Sequence, residues 1–275
     1  MLGKSEIARV IERETYGVPL KPTALSPLFE YIEQFQGERP WGAFLDAGTG
    51  VHSINWVAQL PTERWTAVTG APGDAALVRD ATKSTRRPQD RIVQGNWASP
   101  DLLKDETYDT VLADYLLGAV EGFAPYFQPY LFARLRPLSR RMLYVTAPEP
   151  YVPTDPPSSE AGRLIWEIGR FRDACLLISG DMPYREYPSA WVAHHLQRSG
   201  FSVKAIERFQ IRHKAGFVNS QIDLCAPRLQ TLADRNLADA LMQRGESLRV
   251  HALDVIAAQG ALEHGSNYVI AAAAD

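Results

Sequence analysis

The chain has 275 residues, 45% hydrophobic and 22% charged, which excludes a disordered or collagen-like protein and allows one sizeable core. A net charge of −3 and a pI near 6.1 provide no broad basic field to gather phosphates, so a nucleic-acid partner is not expected. Residues 1–6 lack the apolar core of a secretory leader, and no apolar run approaches the roughly 18 residues of a membrane span. A cytoplasmic protein without membrane contact is expected. Cys175 and Cys225 cannot by themselves make a disulfide framework or a zinc site and read as buried, reduced thiols.

In chain order, Ser5 to Tyr16 and Ser26 to Gln36 read as helices of an N-terminal cap over residues 1–40, with Tyr16 a candidate lid. From Trp41 to Thr146, short β-branched or aromatic runs (Gly42 to Leu45, Trp65 to Val68, Arg91 to Val93, Thr110 to Ala113, Met142 to Val145) alternate with helical spacing. The helical stretches are Ile54 to Leu60, Asp74 to Lys83, Pro100 to Leu103 and Pro125 to Leu138. Such alternation predicts an α/β fold with a parallel, doubly wound sheet covered on both faces. Residues 147–157 hold five prolines in 11 positions and read as a rigid surface connection, neither helix nor inner strand.

A helix follows from Ser158 or Ser159 to about Ser179, and another from Pro188 to Ser199. Strands are expected at Phe201 to Ile211 and Tyr268 to Ala274. Between them, residues 226–259 read as two helices parting near Gly245. The domain reading is therefore a cap over 1–40 and one domain over 41–275, with insertions at 148–187 and 214–265.

Ligands of doubly wound sheets bind outside the carboxyl ends of the strands, where the strand order reverses. The first strand ends in Asp46-Ala47-Gly48-Thr49-Gly50 and enters a helix at Ser53 or Ile54, so a close backbone turn meets unpaired helix N–H groups. Asp46 would repel a pyrophosphate but suits an ammonium, and Ser53 stands where a dinucleotide fingerprint carries its third glycine. These residues resemble the first motif of the class I, Rossmann-like S-adenosylmethionine-dependent methyltransferases, a hydrophobic strand followed by Asp/Glu-x-Gly-x-Gly.

The resemblance covers about Trp41 to Thr146 and extends loosely to the last two strands. It implies a three-layer, seven-stranded sheet, mostly parallel with an antiparallel last strand, plus the helical cap. It also implies S-adenosylmethionine as cofactor, with Asp46, Gly48, Thr49 and Gly50 around its methionine portion. Such enzymes usually end the second strand on an acidic residue that holds the ribose; here Thr69, or Asp74 from the next helix, takes that place. Asn96 and Trp97 after the third strand fall where the adenine is read, or are a turn residue and a core residue. Asp114 and Tyr115 end the fourth strand facing the transferring methyl, whereas Asp109 reads as a turn residue.

In-line methyl transfer asks the protein for positioning and, with an OH or NH nucleophile, a base. His195, which shares a helix face with Trp191 and neighbours His194, Asp114 and Tyr184 are the candidate catalytic residues. Arg170 and Arg172 would suit a carboxylated or phosphorylated acceptor, or serve in surface pairs like Arg163 with Glu167. The expected activity is O- or N-methylation of a small organic molecule, and a homodimer is compatible with it. A non-catalytic cofactor-binding or interaction protein and an NAD(P)-dependent oxidoreductase are the alternatives.

Overall fold

The computed structural model describes residues 25–274. The expected helix over 5–16 and the Tyr16 lid lie outside the described residues. In chain order the first elements are α1 (Pro27–Gln36), β1 (Ala43–Asp46), α2 (Val51–Val57), β2 (Arg64–Thr69), α3 (Pro72–Ala81), β3 (Arg91–Gln94), β4 (Tyr108–Asp114) and α4 (Leu116–Ala119). Then come α5 (Gln128–Leu135), β5 (Ser139–Pro148), α6 (Glu160–Ile178), α7 (Ser189–Arg198), β6 (Ser202–His213), α8 (Ala215–Asp223), α9 (Ala226–Leu229), α10 (Arg235–Gln259) and β7 (Leu262–Ala273). The described residues divide into two compact units, one of 25–149, 184–209 and 267–274, the other of 150–183 and 210–266.

The first unit is built on a seven-stranded sheet of order β3-β2-β1-β4-β5-β7-β6. β1 pairs in parallel with β2 and β4, β2 with β3, and β4 with β5, whereas β7 runs antiparallel to β5. All four residues of β1 are buried, as an inner parallel strand covered on both faces requires. The strand order reverses between β1 and β4, so their carboxyl ends, at Asp46 and Asp114, flank the expected crevice. This is the fold class the alternation predicts.

Two local expectations fail in this unit. β5 runs on through Ala147 and Pro148, because Pro148 is the last rung against β7, opposite Asn267, and that position tolerates a residue without an N–H. Residues 100–103 form turns rather than a helix, with Leu103 at a positive φ. The α1 start follows its sequence signal: Ser26 caps it, its hydroxyl accepting from the Leu28 N–H at 3.3 Å, and Pro27 occupies the first turn.

The second unit is helical, with a core that includes Ile165, Ile168, Phe171, Val218, Ile222 and Leu248. Its α10 is one uninterrupted helix and does not part at Gly245. Asp234 caps it by accepting from the Leu237 N–H, and Gly260, at φ 84°, ends it. Gly245 is there for space: a Cβ would stand 2.7 Å from Phe171 Cζ and 3.3 Å from Ile222. Cys175 and Cys225 are free, buried thiols in this core. Among the described residues, no helix is long and apolar enough to cross a membrane.

Candidate functional site

The turn after β1 is held from three directions. The Ala47 N–H donates to Leu112 O of β4 and the Thr49 N–H to Val68 O of β2, both at 2.8 Å, while Trp97 Nε1–H donates to Ala47 O at 2.7 Å. Gly48 has no room for a side chain, since a Cβ would lie 2.8 Å from Leu116 Cβ and 3.2 Å from Asp114 O. That close approach brings the first-strand turn and the end of β4 together. The Gly50 N–H donates to Ser53 Oγ at 3.2 Å, closing the first turn of α2.

Ser53 then donates to Asp46 Oδ2 at 2.7 Å, while Asp46 is completely buried and its Oδ1 has no hydrogen-bond partner among the described residues. Burial pushes this carboxyl up to about 7, opposed by the Ser53 bond and helped by the Asp114 charge, with the Thr49 hydroxyl and the Gly48 backbone N–H also favouring its charged form. Asp114 accepts from the Thr146 hydroxyl, and burial pushes it up to about 6. The Tyr115 N–H donates to Thr146 O at 3.0 Å, and Tyr115 itself takes the left-handed conformation, φ 49°, at the start of α4. A bulky residue there is strained, a condition that clusters at functional turns.

Among the described residues this pair of raised carboxyls, at the carboxyl ends of adjacent strands, has no ion-pair partner, and Asp46 Oδ1 has no hydrogen-bond donor. A buried acceptor without a donor is costly, and a cation bearing N–H groups answers both needs. The residues present thus fit an ammonium-bearing ligand at Asp46.

The residues expected at the adenine end are placed differently from one another. Thr69 ends β2, buried, and the next residue, Gly70, lies against Phe123, whose ring would stand 2.7 Å from a Cβ. Asn96 has spent its side chain locally: Nδ2–H donates to Phe123 O at 2.8 Å and Oδ1 accepts from the Ala98 N–H at 2.9 Å. Trp97 is buried in the core, with Arg134 over its ring.

Of the candidate bases, Asp114 belongs to the cluster. Tyr184, between α6 and α7, packs its ring against the segment that follows β4, 3.1 Å from where a Cβ of Gly122 would be. His195 stacks on Trp191 at 3.7 Å between centroids and meets His194 and the Pro129 backbone, with no site carboxylate among those neighbours. Burial, then the charges of His194 and Arg198, hold it below the usual histidine range.

In the helical unit Arg172 is buried and bonded to Tyr151 Oη, to Gln221 Oε1 and to Asp173, and Arg170 stacks on Trp166. Glu167 pairs with Arg244 and Arg163 donates to Ser158 O, in place of the expected helical pair.

Four residues escaped the sequence reading: Ser53 in its role toward Asp46, Thr146 toward Asp114, Glu121 and Glu149. Glu149 accepts from Ser189 N–H at 3.0 Å and from Arg208 Nε–H at 3.0 Å, fixing the start of α7. Thr146 and Glu149 meet their partners only across 32 and 40 positions of chain, whereas Ser53 and Glu121 bond residues seven positions away in patterns that carry no motif.

No family model matches the chain, and no curated protein does. Solved structures do. A SAM-dependent methyltransferase from Geobacter sulfurreducens, in complex with S-adenosyl-L-homocysteine, superposes with a TM-score of 0.51 at 13% identity, covering 96% of this chain and 97% of that one. Coclaurine N-methyltransferase bound to N-methylheliamine and SAH gives 0.53 at 14% identity, covering 99% of this chain and 88% of that one. Mycolic acid cyclopropane synthase with SAH and CTAB gives 0.55 at 15%, covering 98% and 94%. The chain has the Rossmann-like fold of the class I S-adenosylmethionine-dependent methyltransferases.

Proposed function

We propose that the chain binds S-adenosylmethionine and transfers its methyl group to an oxygen or nitrogen of a small organic acceptor. The observation that carries this reading is the completely buried Asp46, whose Oδ1 awaits a donor at the strand-order reversal. An amino-acid ammonium supplies that donor, whereas a pyrophosphate brought to the same turn meets a carboxylate. The solved structures that share the fold, several with S-adenosylhomocysteine bound, support the choice of cofactor. When bound, the cofactor supplies an electrophilic methyl on a sulfonium.

The chain's own residues have three tasks in this reading. Asp46, Gly48, Thr49 and Gly50 hold the amino-acid end, with Ser53 and Trp97 keeping the turn in shape. Tyr115 and the Leu116 side chain, which packs over Gly48, flank the end of β4 at Asp114. Asp114, tied to Thr146 and raised to about 6, accepts the acceptor's proton better than an ordinary carboxylate would.

A second reading, a cofactor-binding protein without turnover, rests on the end of β2. Thr69 and Gly70 offer no carboxylate to a ribose, and Phe123 lies on Gly70. Incubation with S-adenosylmethionine labelled in the methyl group and a fraction of small metabolites separates the two. Label transferred to a small molecule supports methyl transfer; saturable cofactor binding with no label transferred to any acceptor supports the second reading.

A further inference from the structure

The segment from Leu116 to Gln128 follows β4 and packs on the turns after β1 and β2. Leu116 covers Gly48, Phe123 covers Gly70, and Glu121 lies between those two residues in sequence. The stretch is bracketed by two tyrosines in the left-handed conformation, Tyr115 and Tyr126, the latter at φ 68°. Glu121 is 1% exposed and Gln128 is fully buried. Gln128 Nε2–H donates to Glu121 Oε2 at 2.6 Å, and the Tyr126 N–H reaches the same oxygen at 3.4 Å. The other oxygen of each side chain, Glu121 Oε1 and Gln128 Oε1, has no hydrogen-bond donor among the described residues. The Arg185 guanidinium stands at 3.6 Å from Glu121 Oε1, too far to hydrogen-bond, and its side chain is 55% exposed.

We infer that Glu121 and Gln128 form a receptor for a protonated amine, which makes an amine-bearing molecule the class of acceptor. The two side chains are joined by one hydrogen bond and each keeps one buried acceptor without a donor, so a ligand group with several donors can serve both. An ammonium has three, a hydroxyl has one, and a carboxylate or phosphate meets repulsion. The charge matches, since a buried carboxylate stabilises a cation far better than a neutral group. Aromatic faces border the place: the Tyr184 ring lies on Gly122, next to Glu121, and the Glu121 charge reaches Tyr187, whose phenol it helps burial to push up. As the acceptor site, this rests on the proposed methyl transfer; as an amine site, it does not.

Calorimetric titration of benzylamine and of benzyl alcohol into the full chain, with and without saturating S-adenosylhomocysteine, tests it. Benzylamine is expected to bind at least tenfold more tightly than the alcohol. Glu121→Gln is expected to remove that preference while leaving S-adenosylhomocysteine affinity within twofold. Arg185→Ala, a change at a side chain that is 55% exposed, is expected to tighten amine binding several-fold by removing the competing cation, and so reads the site even if the Glu121 variant fails to fold. Absence of benzylamine binding, equal binding of the alcohol, a preference that survives Glu121→Gln, or weaker binding in Arg185→Ala each overturns the inference. If S-adenosylhomocysteine fails to bind while the amine preference holds, the proposed function falls and the amine site stands.

Discussion

Ser53 Oγ–H donates to Asp46 Oδ2 at 2.7 Å and so holds one oxygen of a completely buried carboxylate, leaving the other free for a ligand. Removing that hydroxyl acts on the ionisation of Asp46 more than on the fold. In Ser53→Ala the carboxyl loses a bond to its charged form and rises above about 7. Affinity for S-adenosylhomocysteine is expected to fall several-fold at pH 7, with the gap to the unsubstituted chain narrowing by pH 8.5. Titrations at the two pH values check this.

The same two carboxyls give stability a definite dependence on pH. Asp46 and Asp114 are raised in the folded chain, to about 7 and about 6, above their ordinary value near 4. The folded state therefore binds more protons than the unfolded state between about pH 4 and pH 7. Their contribution is fully present below pH 4 and is lost as the pH rises through 6 and 7. Melting temperatures of the ligand-free chain from pH 5 to 8 should show that loss, and Asp46→Asn or Asp114→Asn should flatten it. Cofactor binding runs the opposite way, tightening over the same range as Asp46 ionises.

Trp97 ties the first-strand turn to the core through its bond to Ala47 O, at 2.7 Å. Trp97→Phe keeps most of the apolar contact and strands a buried carbonyl, so a loss of about 1–3 kcal/mol is expected in denaturant unfolding. If the ring stacked on a ligand instead, cofactor affinity would fall with no loss of stability.

Asp109 is the second residue of β4 rather than the expected turn residue, and accepts from the Ala43 N–H at the start of β1, at 3.0 Å, with Arg141 at 3.4 Å. Asp109→Ala leaves that N–H without a partner and is expected to cost about 1–3 kcal/mol. Gly42→Ala strikes the same carboxylate at 2.3 Å from a backbone at φ 59°, and should destabilise at least as much. Neither substitution should change the pH profile of cofactor binding.

The sheet was legible in the sequence because each inner strand is a short apolar run closed by a breaker, and Asp46-Ala47-Gly48-Thr49-Gly50 marked the turn that bears the ligand. Helix starts with side-chain caps, such as Ser26 and Ser159, were equally plain. Gly245 misled because a glycine chosen for the Phe171 ring reads, in sequence, like one chosen to end a helix. Pro148 misled because the ladder position that spares its missing N–H exists only once β7 has paired. The partners of Asp46 and Asp114 split along the same line. Ser53 lies one helical turn past Gly50 and was visible as a residue, whereas Thr146 meets Asp114 only through the pairing of β4 with β5. Glu121 and Gln128 carry no motif, and their orphaned oxygens exist only in the folded chain.

The central claim is that Asp46 receives the ammonium of S-adenosylmethionine, and calorimetric titration at pH 7.5 with S-adenosylhomocysteine and with NAD tests it most directly. The account predicts saturable, equimolar binding of S-adenosylhomocysteine, no binding of NAD, and at least a tenfold loss of affinity in Asp46→Asn. Saturable binding of NAD alone, or an Asp46→Asn chain that binds S-adenosylhomocysteine as tightly as the unsubstituted one, would contradict it.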